Sequence, residues 1–295
     1  MITVGIPTYN EGGVIGKSIL SALEQVSPRD EIVVVASGCT DNTYDVVRSI
    51  SKKYKQVKLI TEPTRRGKAS ALNIILKRAK GDIIVQTDGD VVLEKNSIRE
   101  LVKHFKDPDV GAVSAQPLPV LPKNNLFYDW TIMSYKKMHE RRLKESRGGN
   151  FWHVTGYLCA YRKEAMGEIP LDMKGAVDSV MGIIVRNKGY NIVYEPTALV
   201  YVKAPLTVRD FVKQRARIRA GYYQVKEKFE MQPRKFANEF VYLPKEMLVR
   251  AKSPRKFFSF IFIGLVYFYS WLYGWWLIKT KKPLGTIWKR VDSTK

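Results

Sequence analysis

Asp88 and Asp90 flank a single glycine. On an extended chain residues two apart leave the same face, and Gly89 permits a turn that brings both carboxylates to one ion. Hard carboxylate oxygens beside substrate phosphates are the usual way of holding Mg²⁺ or Mn²⁺. Upstream, Arg65, Arg66 and Lys68 stand just before a helical pattern. Basic side chains at a helix N-terminus favour a phosphate. The two clusters together suggest acid for a metal and base for a diphosphate. A second Asp-x-Asp, Asp107-Pro108-Asp109, follows a helix-like stretch and reads as a solvated turn.

The elements that must position these residues alternate. Apolar runs at Ile2–Ile6, Glu31–Val35, Val57–Ile60, Asp82–Val85 and Val110–Ala115 predict strands. Helix-like stretches near 13–26, 42–53, 67–79 and 96–106 lie between them, with Thr40-Asp41-Asn42 and Asn96-Ser97 as helix starts. The alternation predicts an α/β fold with a parallel, doubly wound sheet. Ligands of such sheets bind outside the carboxyl ends of the strands. Four loops gather there: Pro7-Thr8-Tyr9-Asn10-Glu11, the run Ala36 to Asp41, the run Glu62 to Lys68, and Thr87 to Asp90.

Composition narrows the class. The 295 residues are 45% hydrophobic, enough for a buried core, and two cysteines, Cys39 and Cys159, cannot staple a small scaffold. A reducing compartment is expected. A net charge of +22 calls for an anionic partner. Residues 200–256 carry 15 basic and 5 acidic side chains, and 279–295 carry six and one. Between them Phe257 to Ile278 has no charge, no proline and eleven aromatic residues. As a helix it would reach about 33 Å, enough to cross a bilayer core. Trp271, Tyr273, Trp275 and Trp276 suit the headgroup level, and the basic flanks suit anionic lipids. The expected order is a soluble part first, then an anchor, with no signal peptide before it. Charge clustered around an anchor argues for a membrane and against nucleic acid as the partner.

The loop residues also carry a resemblance. Pro7-Thr8-Tyr9-Asn10-Glu11, Ser37-Gly38-Cys39-Thr40-Asp41-Asn42-Thr43, Arg66-Gly67-Lys68-Ala69, Ala71-Leu72-Asn73 and Asp88-Gly89-Asp90 resemble the inverting glycosyltransferases of family 2, with the GT-A, Rossmann-like fold. The run Thr155 to Arg162 is similar to the acceptor segment of hyaluronan, chitin and poly-N-acetylglucosamine synthases. Asp178 stands where that family places its catalytic base, and Gln214-Arg215-Ala216-Arg217-Ile218 resembles its Gln-x-x-Arg-Trp motif. The resemblance implies a nucleotide-sugar site of Pro7, Thr8, Tyr9, Glu11, Ser37, Lys68, Asp88, Gln214 and Arg217. It further implies a metal, Mn²⁺ or Mg²⁺, at Asp88 and Asp90, and Asp178 as base. An acceptor would meet Trp152, Thr155, Gly156 and Tyr157. Read from local sequence alone, Asp178 would be the N-cap of a helix beginning at Ser179.

Three positions depart from that pattern. Ala36 or Ser37 stands where the family has the acid that pairs with the nucleobase, Val177 replaces the Glu before the base, and Ile218 replaces a Trp. The expected organisation is a GT-A catalytic domain at 1–225, a basic interfacial segment at 226–256, a transmembrane helix at 257–278 and a basic tail at 279–295. A basic amphipathic helix over Val208 to Phe229 would either lie on the bilayer or pack one stripe on the domain. One span cannot enclose a polymer channel, so the expected reaction adds one or a few sugars. The donor would be a UDP-sugar such as UDP-GlcNAc or UDP-Glc, and the acceptor lipid-linked or a glycan. The catalytic part would face the cytoplasm, at the cell membrane. A silent sugar-nucleotide-binding scaffold and a membrane-tethered nucleic-acid binder are the alternatives.

Overall fold

The structure, a computed structural model, describes residues 1–173, 175–229 and 253–280. Residues 1–120 and 135–203 form one compact unit, and 121–134 with the described residues from 204 onward form a second.

The first unit is built on an eight-stranded sheet: β1 (Ile2–Thr8), β2 (Glu31–Ser37), β3 (Val57–Glu62), β4 (Ile83–Thr87), β5 (Val92–Leu93), β6 (Val110–Val120), β7 (Leu158–Arg162) and β8 (Asn191–Lys203). Their spatial order is β3-β2-β1-β4-β7-β6-β8-β5. The five strands expected from apolar runs all form, and β1, β2, β3 and β4 pair in parallel. The sheet is not parallel throughout. β7 inserts antiparallel between β4 and β6, with Thr87 opposite Leu158 and Ile83 opposite Arg162. Antiparallel pairing makes β7 begin at the edge where β4 ends, so the segment entering β7 arrives beside Asp88.

Helices α1 (Ile15–Leu23), α2 (Thr43–Lys53), α3 (Lys68–Arg78) and α4 (Ser97–Val102) fall where the periodicity places them, α2 after Asn42 and α4 after Asn96. Val4 and Ile6 pack with Ile15, Ile19 and Val47 of α1 and α2. The intervening Gly5 lies under Ile75 of α3, where a Cβ would come within 2.5 Å of its Cγ2. Alternating residues of β1 thus meet helices on opposite faces. β2 is buried along its whole length, which is why its sequence is a continuous apolar run. α5 (Tyr128–Arg147) and α6 (Val177–Asn187) complete the set before β8.

Two carboxylates pin the sheet. Buried Glu31 accepts from Thr3 Oγ1 at 2.9 Å, Lys80 N at 2.7 Å and Lys58 Nζ at 2.5 Å. Glu195 on β8 accepts from Thr197 N at 2.9 Å and Thr197 Oγ1 at 2.7 Å, and meets His104 Nε2 at 2.6 Å and Lys103 Nζ at 3.0 Å. Burial alone would push Glu195 up, but these donors outweigh it and hold it at about 2. Asp107 and Asp109 are exposed in a turn, as expected, and both cysteines are free.

The second unit contains α7 (Val208–Phe229) and α8 (Pro254–Lys279), which pack on each other. Phe211, Ala216, Ala220 and Val225 are the buried stripe of α7, and Phe127 stacks on Phe211 with ring centroids 4.7 Å apart. The buried stripe of α7 packs within this unit, against α8 and Phe127. Gly274 brings α8 close to α7, since a Cβ there would lie 3.3 Å from Ala216 Cα. Arg219 lies over the Trp271 ring at 4.3 Å. Helix α8 contains a 24-residue stretch, Lys256–Lys279, long and apolar enough to cross a membrane. Only 28% of its most apolar window is buried, leaving Phe258, Leu265, Tyr269 and Trp275 exposed. Most of the segment expected at 226–256, and nearly all of the tail at 279–295, lie outside the described residues.

A carboxylate held low in the folded state stabilises it above its ordinary value, and that stability is lost as pH falls through the folded value. The Glu195 contribution is therefore expected to fade between about pH 4.5 and about 2. Urea unfolding across that window should show a shallower pH dependence in Glu195→Gln than in the parent chain.

Candidate active site

Strand ends deliver the site. Asp88 follows β4, and its N–H donates to Tyr157 O at 3.3 Å, while Thr87 Oγ1 donates to the same carbonyl at 2.9 Å. Ser18 Oγ on α1 donates to Asp88 O at 3.0 Å. Lys68, the first residue of α3, forms an ion pair with Asp88 Oδ1, and its Nζ lies 3.4 Å from Gly156 O. A Cβ on Gly156 would stand 2.9 Å from Lys68 Nζ and 3.7 Å from Asp178 Oδ2. Lys68, Asp88 and Asp178 thus converge on the backbone of Gly156, from α3, β4 and α6.

The charges perturb one another. Burial, with the charges of Asp90 and Asp178 added, pushes Asp88 up to about 6 against the pull of Lys68. Burial disfavours the Lys68 ammonium, yet Asp88 and Asp178 together raise it above its ordinary value. Cys159, buried beneath the same cluster, is pushed up to about 12 by burial and stays a neutral thiol.

Around this centre the β1 loop is clamped. Thr8 Oγ1 donates to Glu11 Oε2 at 2.7 Å, and Glu11 N donates to Thr43 Oγ1 at 2.8 Å. Gly12 N donates to Asp41 Oδ2 at 3.1 Å. Gly89 lets the Asp88–Asp90 turn lie against that loop, because a Cβ there would come within 2.2 Å of Glu11 Oε2. Pro7 is buried within β1. Tyr9 carries the Arg65 guanidinium over its ring at 4.1 Å. Ser37 is buried, and its hydroxyl accepts from Arg66 N at 3.3 Å and donates to Thr64 O at 3.5 Å. Serine at that position therefore anchors the β3–α3 loop.

Asp178 does not cap α6. Ala176, with φ of 49°, occupies the cap, and Asp178 is the second residue of the helix. One oxygen accepts from Ser179 N at 3.1 Å. Trp152 is half-buried against His153, ring centroids 3.7 Å apart, and Thr155 N donates to Ser114 Oγ at 3.0 Å. One turn after Asp178, Gly182 lies so close to this segment that a Cβ would fall 2.0 Å from Trp152 O. Gln214 and Arg217 lie on α7 in the second unit, three residues apart on one helix face.

Three contributors belong to none of the motifs. Gly182 sets the approach of α6, and Ser18 holds the Asp88 carbonyl. Gln86, fully buried, has its Nε2 3.5 Å from Gly156 O. Gln86 alone has a sequence signal, as a polar residue directly after the apolar run Asp82–Val85.

No group of three or more His, Cys, Asp or Glu side chains that could hold a metal occurs among the described residues. Asp88 and Asp90 nonetheless fit a divalent cation as a two-carboxylate donor set. Hard oxygen ligands suit it, the crowding of negative charge around Asp88 favours it, and diphosphate and water would complete the coordination.

The family model described as glycosyl transferase family 2 matches residues 3–169. A poly-β-1,6-N-acetyl-D-glucosamine synthase of Staphylococcus aureus is 26% identical over 229 residues, covering 76% of this chain and 55% of the relative. The synthase of Staphylococcus epidermidis is also 26% identical, over 74% of this chain and 53% of its own length. The chain thus spans little more than half the length of these relatives. Among solved structures, the mannosyltransferase PcManGT of Pyrobaculum calidifontis, in complex with GDP-Man and Mn²⁺, superposes with a TM-score of 0.67. It is 28% identical, over 88% of this chain and 72% of that one. Staphylococcus aureus TarS 1–349 shares the fold, with a TM-score of 0.52 at 18% identity, over 75% of this chain and 66% of that one.

Gly182→Ala is expected to destabilise the fold by about 1–3 kcal/mol, since a methyl group must displace backbone rather than a side chain. Urea unfolding would check it, with Gly167→Ala as control; a Cβ there meets only Ile184 Cγ2 at 3.6 Å.

Proposed function

The chain belongs to glycosyl transferase family 2, and we propose that it is a membrane-anchored, inverting glycosyltransferase that moves a sugar from a nucleoside-diphosphate sugar to a lipid-linked or glycan acceptor. The observation that carries this reading is the meeting of Lys68, Asp88 and Asp178 around Gly156, where the chain enters β7.

Inversion needs one displacement, with the acceptor hydroxyl and the leaving diphosphate on opposite sides of the anomeric carbon. Asp178 would accept the hydroxyl proton as the new bond forms, which requires hydrogen-bond reach of the acceptor oxygen. Lys68 keeps its charge in this setting and would oppose the negative charge gathering on the diphosphate. Thr8, Tyr9 and Glu11 would seat the nucleoside. Gln214 and Arg217 would hold the diphosphate, through a bidentate guanidinium contact in the case of Arg217. Asp88 and Asp90 would hold Mn²⁺ or Mg²⁺, which when bound neutralises charge on the leaving group. Trp152, Thr155, Gly156 and Tyr157 would line the path of the acceptor.

The names of the staphylococcal relatives support an N-acetylglucosamine donor such as UDP-GlcNAc. The GDP-Man and Mn²⁺ bound by the Pyrobaculum enzyme support a metal-dependent nucleoside-diphosphate donor. Helix α8, with its exposed aromatic surface, supports a membrane anchor. With nucleotide sugars in the cytoplasm, the catalytic part would face that side.

The test is turnover by the solubilised full chain of UDP-, GDP- and dTDP-sugars, with membrane lipid extract as acceptor. Release of one nucleoside diphosphate should require Mn²⁺ or Mg²⁺ and stop on chelation, and label should pass into lipid. Asp178→Asn should lower turnover by about 10²–10⁴-fold while nucleotide binding persists. Turnover retained in that variant would remove Asp178 from the role of base.

A further inference from the structure

The second unit holds a pocket of about 410 Å³ that the transfer reaction does not use. Lys123, Asp129 and Trp130 line it, together with Lys256, Phe260 and Ile263 of α8. The last three stand at i, i+4 and i+7, so they follow one another along one face of the helix. Over roughly 10 Å of rise that face passes from an ammonium to buried apolar side chains. The change occurs where the uncharged stretch of α8 begins. Polar head followed by apolar tail is the order of a lipid entering a bilayer from its surface.

The polar groups favour an anion. Lys256 forms an ion pair with Asp129 at 3.0 Å, and Lys123 has no ion pair among the described residues. The described lining residues therefore carry one positive charge beyond neutrality. Trp130 is 3% exposed, and its indole N–H has no acceptor among the described residues. A buried donor left without an acceptor costs stability, and a phosphate or ester oxygen would supply one.

We infer that this pocket takes the phosphate headgroup and upper chain of an anionic bilayer phospholipid, which seats α8 at the membrane surface. The inference rests on α8 being a membrane span. It is independent of the transfer chemistry.

Native mass spectrometry of the full chain in neutral detergent, with phosphatidylglycerol or phosphatidylcholine added, tests it. One phosphatidylglycerol should stay bound where phosphatidylcholine is stripped. Lys123→Ala and Lys256→Ala should each weaken that retention about fivefold, the worth of one basic side chain near an anionic surface. Asp129→Asn should strengthen it, which a purely structural role for Asp129 would not do. Lys52→Ala with Lys53→Ala, an exposed pair on α2, should leave it unchanged. Equal retention of the two lipids, indifference to Lys123 and Lys256, or displacement by inorganic phosphate would each overturn the assignment. Release of the chain from vesicles by alkaline carbonate would instead remove the membrane span, and the pocket's occupant with it.

Discussion

The ion pair between Lys68 and Asp88 is the constraint on which the first unit depends. Lys68 and Asp88 are each only part-exposed, 32% and 24% at the side chain, and withdrawing an ammonium and a carboxylate even partly from water is offset best when they pair. The pair therefore commits the start of α3 and the end of β4 to one another. Its position beneath Gly156 commits the segment entering β7 as well. A third charge, Asp178, arrives on α6 and makes the cluster net negative before any ligand is present. That imbalance disfavours the empty site and favours a cation, so the electrostatics of folding and of binding are linked in one place.

Topology makes the cluster possible. A parallel strand next to β4 would have entered from the opposite edge and left its preceding segment far from Asp88. The antiparallel insertion of β7 reverses this, so Tyr157 O can receive both Asp88 N and Thr87 Oγ1. Small residues then set the distances. Gly182 admits the Trp152 carbonyl at a separation that a side chain would forbid, and Gly89 leaves room for the Glu11 carboxylate and Ile15.

The second unit follows a different logic. Its core is aromatic, with Phe127 stacked on Phe211 and Trp130 beside Tyr267. Guanidinium groups of Arg215 and Arg219 lie over aromatic faces of α7 and α8. Cations on rings reconcile a strongly basic helix with an apolar neighbour. Among the described residues that pairing leaves much of the remaining face of α8 exposed, including Phe258, Leu265 and Tyr269.

Local pattern was enough to determine β1 to β4, the start of β6, helices α1 to α4 and the apolar span, because each rests on a hydrophobic period or a helix-start residue within a few positions. The loop residues at the sheet edge were legible for the same reason: Asp88-Gly89-Asp90 and the run before Lys68 are contiguous, and strand order places them. The direction of β7 was not legible, since a strand of five residues reads the same in either sense until it finds its neighbours. Nor was the place of Ala176 as the cap of α6, which frees Asp178 to approach Gly156; a left-handed alanine has no local signature. Ser37, Gly182 and Ser18 acquire their parts only through partners 27, 30 and 70 residues away. Sequence determined which chemical groups are present and on which elements; tertiary structure alone decided which of them touch, because distances across a sheet are set by pairing and close packing rather than by chain spacing.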